Sequence, residues 1–210
     1  SWNNFTINTS ENSHELRTKK FPYQSVDSGK FYKKINSKLS EVLVSHKEFV
    51  SIPNLPADKQ KMYENIDWVK NRYEKVGFQL KKLESSTLPV LFAQRILDPT
   101  FKTVLFYFHL DGQAVNPKMW NQKNPFHPIL KEQKEDGDWR AITWSSLKGE
   151  INDDWRIFGR AAADDKAPII MFLSALELLQ KQHQNPKFNI KIIFDLEEEY
   201  GSQGFLSTLK

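Results

Sequence analysis

Two short runs constrain this chain more than anything else in it. Residues 104–108 (Val-Leu-Phe-Tyr-Phe) and 190–194 (Ile-Lys-Ile-Ile-Phe) are dense in β-branched and aromatic side chains and bounded by polar residues, the pattern of buried strands. Each runs straight into residues that carry chemistry: His109-Leu-Asp111-Gly112-Gln113 after the first, Glu197-Glu198-Glu199-Tyr200-Gly201-Ser202 after the second. A shorter run, Arg156-Ile157-Phe158, leads into Gly159-Arg-Ala-Ala-Ala-Asp164-Asp165-Lys166. In open α/β sheets ligands bind outside the carboxyl ends of the strands. The spacing therefore predicts one cleft lined by an imidazole and several carboxylates, a set that suits a borderline divalent metal such as zinc.

The remaining pattern fits an α/β domain with a mixed β-sheet flanked by helices. Apolar residues on one face predict a helix over 31–49, and residues 50–56, with two prolines, break it. Asp58 is placed to cap a second helix over 59–76, and Gly77 to end it. Strands are expected at 78–83 and 89–95, joined as a hairpin, at 103–108 and at 188–194. The strand at 103–108 is apolar on both faces, which reads as a central strand. A helix is expected over 165–182. Residues 112–152 are long, irregular and rich in Asn, Lys, Pro and Trp. A segment of that kind inside a compact domain is usually functional, and small strands are expected in it, for example at 139–144. Residues 1–28 are polar and read as an extended or poorly ordered arm. Residues 29–210 read as one domain, incomplete at its C-terminal end because a new loop or helix has only begun there.

Composition removes several classes. The chain has no cysteine, which excludes disulfides, thiolate zinc sites and cysteine nucleophiles. No apolar run approaches the ~20 residues of a membrane helix. A net charge of +4 is spread over scattered lysines, so neither a nucleic-acid footprint nor a membrane partner is expected. The chain starts at Ser1, a start compatible with a removed leader, and the compartment is left open.

Each motif also has a plainer reading. Two residues apart on a strand, His109 and Asp111 point to the same side, and a carboxylate beside a metal-bound His fixes its ring. A strand-end His satisfied by a neighbouring Asp has the same spacing. Asp165 is suited to capping a helix, Lys166 to neutralising the acids, and Asp164 is then free for a metal. A glutamate run is normally a solvated loop. Directly after a buried strand, however, its mutual repulsion calls for a cation. Calcium would need mainly oxygen ligands, against which His109 argues.

Taken together, these stretches resemble the M20 family of zinc metallopeptidases, which includes dizinc aminopeptidases, carboxypeptidases and carnosinase-like dipeptidases. The resemblance rests on Phe-His-Leu-Asp-Gly-Gln at 108–113, Trp120 with Asn-Pro-Phe-His-Pro at 124–128, Gly-Arg-Ala-Ala-Ala-Asp-Asp-Lys at 159–166 and Glu-Glu-Glu-Tyr-Gly-Ser at 197–202. Glu-Phe-Val-Ser-Ile-Pro at 48–53 resembles the family's early helix end. It implies two zinc ions, with His109, Asp164 and Glu199 as ligands and Asp164 bridging. It further implies Asp111 as the acid that orients His109, Glu198 as the general base, and a cis peptide between Asp164 and Asp165. The implied reaction is hydrolysis of a peptide or N-acyl amide bond by the parent protein, with a homodimer formed through a lid domain absent from this chain. Gln113 inclines the substrate towards dipeptidases or carboxypeptidases. Three departures stand out: Ala161 and Ala167 where the family usually has glycine, and Asp195-Leu196 where it has Glu-Gly. The resemblance also implies a further carboxylate and a further histidine beyond Lys210, and His127 and His183 are not expected to replace them. The alternative is an inactive fragment or a metal-binding or interaction module without catalysis.

Overall fold

The computed structural model describes residues 28–208. The arm expected over 1–28 lies outside that range except for Ser28, which opens a helix. Residues up to Leu39 and residues from Ser40 onward are two units. Among the described residues the first holds only the opening turns of helix α1 (Ser28–Val50). Everything below concerns the second.

Local signals set the helix ends. The Asp58 side chain accepts from the backbone N–H of Lys61 at the start of α2 (Lys59–Tyr73), satisfying one of the orphan donors of a first turn. A 3-10 turn (Glu74–Val76) follows, and Gly77 closes it at φ 87°, a conformation glycine adopts without a Cβ penalty. Gln79–Leu83 (β1) and Val90–Arg95 (β2) then pair antiparallel as the expected hairpin.

The main sheet has the order β1-β2-β7-β3, with β3 at Thr103–His109 and β7 at Asn189–Asp195. β7 is antiparallel to β2 and parallel to β3, in a register that sets Thr103 beside Asn189 and His109 beside Asp195. That register alone brings the first and third motifs to the same end of the sheet. Read as central from its composition, β3 pairs among the described residues on one side only, with β7, and Leu105 is 59% exposed and Tyr107 45%. Its other face explains the apolar run: Phe106 and Phe108 lie 4.4 and 5.7 Å from the Phe172 ring of α3 (Lys166–Lys181). Hydrophobicity reports burial on a face, not position in a sheet.

The core lies between this sheet and α2 and α3. Phe194 and Tyr73 are fully buried, with ring centroids 5.3 Å apart, and the Tyr73 hydroxyl donates to the Ile169 carbonyl of α3 at 3.0 Å. The irregular segment carries more order than its sequence indicated. Ile129–Gln133 (β4), Trp139–Ala141 (β5) and Arg156–Phe158 (β6) form a second, antiparallel sheet of order β5-β4-β6. The second motif thus leaves the small sheet and enters α3. No described helix is long and apolar enough to cross a membrane.

Candidate metal centre

His109 ends β3 and is 8% exposed. Its Nε2 lies 2.9 Å from Asp164 Oδ1 and 4.0 Å from Glu198 Oε2. Its Nδ1 lies 3.1 Å from the Asp111 carbonyl oxygen and 3.4 Å from Asp111 Oδ1. One face of the imidazole is therefore held by Asp111 and the other is turned to two carboxylates. Burial works to lower the imidazole pKa, but its hydrogen bonds to Asp111 and Asp164 and the charges of Asp165 and Asp111 outweigh it and raise it to about 9. The surrounding acids favour the protonated ring, and a metal at Nε2 would take the place of that proton.

Asp111 does more than face the ring. It is fully buried, and its two oxygens accept the backbone N–H groups of Glu198 and Glu199, each at 3.0 Å. A carboxylate with two backbone donors is well satisfied. This one fixes the loop of the third motif to the loop of the first.

Asp164 and Asp165 are joined by a cis peptide bond. The Asp164 side chain is 76% exposed and open to the cleft. Asp165 occupies the N-cap position of α3, as its sequence suggested, but its side chain makes no capping hydrogen bond. Instead its Oδ2 accepts the His109 backbone N–H at 3.0 Å, and burial raises its pKa. Lys166 does not neutralise the acids. It is fully buried and donates to the carbonyls of Phe49 and Ile52 at 2.8 and 2.7 Å, and burial pushes its pKa well down.

The three glutamates divide by role. Glu197 is bonded to the Thr87 hydroxyl and accepts from the backbone N–H of Gly204 at 3.2 Å, which anchors the loop. Glu198 approaches His109. Glu199 accepts from Gln113 Nε2 at 3.0 Å. The structure thus brings His109, Asp164 and Glu198 together and leaves Glu199 beside them, held by Gln113. Among the described residues, His109, Asp164 and Asp165 offer ligand atoms that all lie within 4.8 Å of one another. A nitrogen and carboxylate oxygens at this spacing fit a zinc-like ion. Sequence reasoning missed Asp165 as a contact of the His109 backbone and missed Lys166 as a buried anchor. The only signal for either was the apolar surrounding of α3. Ala161, one of the departures, has φ 61°, a left-handed conformation in which glycine carries no penalty. His183 also has a positive φ, 54°, just past the end of α3.

An α/β domain with an imidazole and clustered carboxylates at one sheet end has the make-up of a candidate metal site. Residues 105–210 match the family described as Peptidase family M20/M25/M40, and the chain belongs to that family. It is 30% identical over 188 residues to a Cys-Gly metallodipeptidase of Schizosaccharomyces pombe, covering 83% of this chain and 35% of that protein. It is 26% identical over 199 residues to the mouse Beta-Ala-His dipeptidase, covering 86% and 36%. The solved structure of human carnosine dipeptidase 1 superposes with a TM-score of 0.65 at 22% identity, covering 87% of this chain and 39% of that one; at that identity it bears on the fold. The chain spans about a third of the length of the curated relatives it matches.

Proposed function

We propose that this chain is the N-terminal portion of the catalytic domain of a zinc-dependent peptidase that hydrolyses a dipeptide or a related peptide or N-acyl amide bond. The observation that carries the reading is the His109 imidazole, turned by Asp111 so that Nε2 faces Asp164 at 2.9 Å and Glu198 at 4.0 Å. His109, Asp164 and Glu199 would hold zinc, two ions in a complete site, with Asp164 shared between them. Asp165 is a neighbouring donor, and Glu199 accepts from Gln113 through one carboxylate oxygen, Oε2. Zinc there would supply Lewis acidity towards a carbonyl and a more acidic water. Asp111 keeps the His109 ring in one orientation and holds the Glu198 backbone. Glu198, with its carboxylate 43% exposed, would take a proton from the attacking water and deliver it to the leaving amine.

The family membership and the two dipeptidase relatives support peptide hydrolysis, and their names suggest Cys-Gly and β-Ala-His as first substrates to try. A homodimer of the parent protein belongs to the same reading. The test is zinc content and dipeptide hydrolysis for the wild type beside His109→Ala and Asp164→Ala. Zinc held by the wild type and lost by both variants is the expected result. Zinc retained by both variants would sink the ligand assignment.

A further inference from the structure

Asn54 lies in the loop between α1 and α2, far from the motifs in sequence, and it is 1% exposed. Its Nδ2 donates to the Leu110 carbonyl at 2.9 Å, and its backbone carbonyl accepts the Gly112 N–H at 2.9 Å. These two bonds bracket Asp111 from both sides. The fit is close: a Cβ on Gly112 would lie 3.0 Å from Asn54 Nδ2 and 3.1 Å from its Oδ1. The remaining oxygen, Oδ1, is buried with no hydrogen-bond partner among the described residues. A buried polar atom left in that state is costly, so packing rather than full satisfaction keeps the carboxamide in place.

From Asn54 the contacts continue into the centre. The bracketed Asp111 presents its carbonyl to His109 Nδ1 and its carboxylate to the backbone of Glu198 and Glu199. We infer that Asn54 is a positioning residue: by clamping the 110–112 turn it sets where Asp111 stands, and through Asp111 it sets the His109 ring and the Glu198–Glu199 backbone. Its own contacts are with Leu110 and Gly112, so it acts through Asp111. The inference draws on the proposed function only in saying what the positioned groups are for.

The test separates positioning from general stability by using a second buried asparagine as control. Asn189 is 3% exposed and sits at the opposite end of the same strand pair, bonded to Leu97, Asp98 and Phe101. Amide hydrogen exchange is followed by NMR in the full, metal-free chain for wild type, Asn54→Ala and Asn189→Ala. Asn54→Ala removes the Nδ2–Leu110 bond and the packing on Gly112 but keeps the backbone bond, and should speed exchange at the Glu198 and Glu199 amides by about tenfold or more, the opening expected when a buried hydrogen bond is lost. Asn189→Ala should leave those two amides close to wild type. Wild-type protection in Asn54→Ala overturns the inference, as does equal loss in both variants. Gly112→Ala attacks the same contact from the other side and should expose the same amides, which keeps the test decisive if Asn54→Ala does not fold. Zinc titration of the wild type is read separately. A chain that takes up no zinc removes the metal reading, while the exchange comparison still decides the role of Asn54.

Discussion

The two ends of the β3–β7 pair are built from similar materials to opposite effect. At one end, Asn189 is buried with both side-chain atoms engaged: Oδ1 accepts from Leu97 and Asp98, and Nδ2 donates to the carbonyls of Asp98 and Phe101. At the other, His109 and Asp195 lie side by side, and acids crowd around an imidazole with no Lys or Arg in an ion pair with them among the described residues. Lys166, the nearest cation in sequence, is turned away to the end of α1. Each buried polar group at the first end has a partner, which is what stability asks for. At the second end electrostatic satisfaction is left incomplete, as functional sites commonly require.

That contrast can be broken in several ways. The largest expected effect is at the charged end: Glu198→Gln should lower hydrolysis by the parent protein about 10²–10⁴-fold, with zinc content and melting temperature unchanged, as steady-state rates and metal analysis would show. Phe194→Ala strikes the core one residue short of the charged end. Phe194 is fully buried and packs on Tyr73 and Phe108, so the loss should be about 3–5 kcal/mol by denaturant titration and should weaken both ends together.

Acid should act on the site end. His46 is buried below the second motif. Burial first, and the Lys166 charge after it, bring its pKa down to about 4, against an opposing backbone contact with Ala162. The unfolded chain therefore binds a proton at higher pH than the folded one. The contribution is fully present above about pH 6.5 and is lost as pH falls towards 4, in all about 3 kcal/mol. Denaturation followed across that window should show the slope in the wild type and a flatter one in His46→Gln. The smallest effect belongs to the satisfied end: Asn189→Ala should cost about 2 kcal/mol and leave zinc affinity as it was.

Some of this was legible in the sequence because it is local. Asp58 and Gly77 mark the ends of their segment through contacts a few residues away. The hairpin follows from two short runs and the turn between them. The packing of β3 was not legible: the letters of its apolar run do not say which side chains meet Phe172 and which are exposed. Within residues 112–152 a strand starting at Trp139 was legible and β5 stands there, whereas β4 and its pairing with β6 across an intervening strand and 3-10 turn were not.

The candidate site divides along the same line. By itself the sequence determined which residues could carry the chemistry, because His109 ends a strand, the glutamates follow one closely and Asp164 lies in the stretch that leads from a strand into a helix, where side chains reach a ligand. Tertiary structure alone decided their contacts. It chose Glu198 over Glu197 to face the imidazole, tied Asp111 to a backbone 87 residues away, sent Lys166 to carbonyls 114 and 117 residues away and placed Asn54 against Leu110, 56 residues on. Hydrogen bonds over such separations depend on the parallel register of β3 and β7 and on the packing of α3, and no local pattern encodes either.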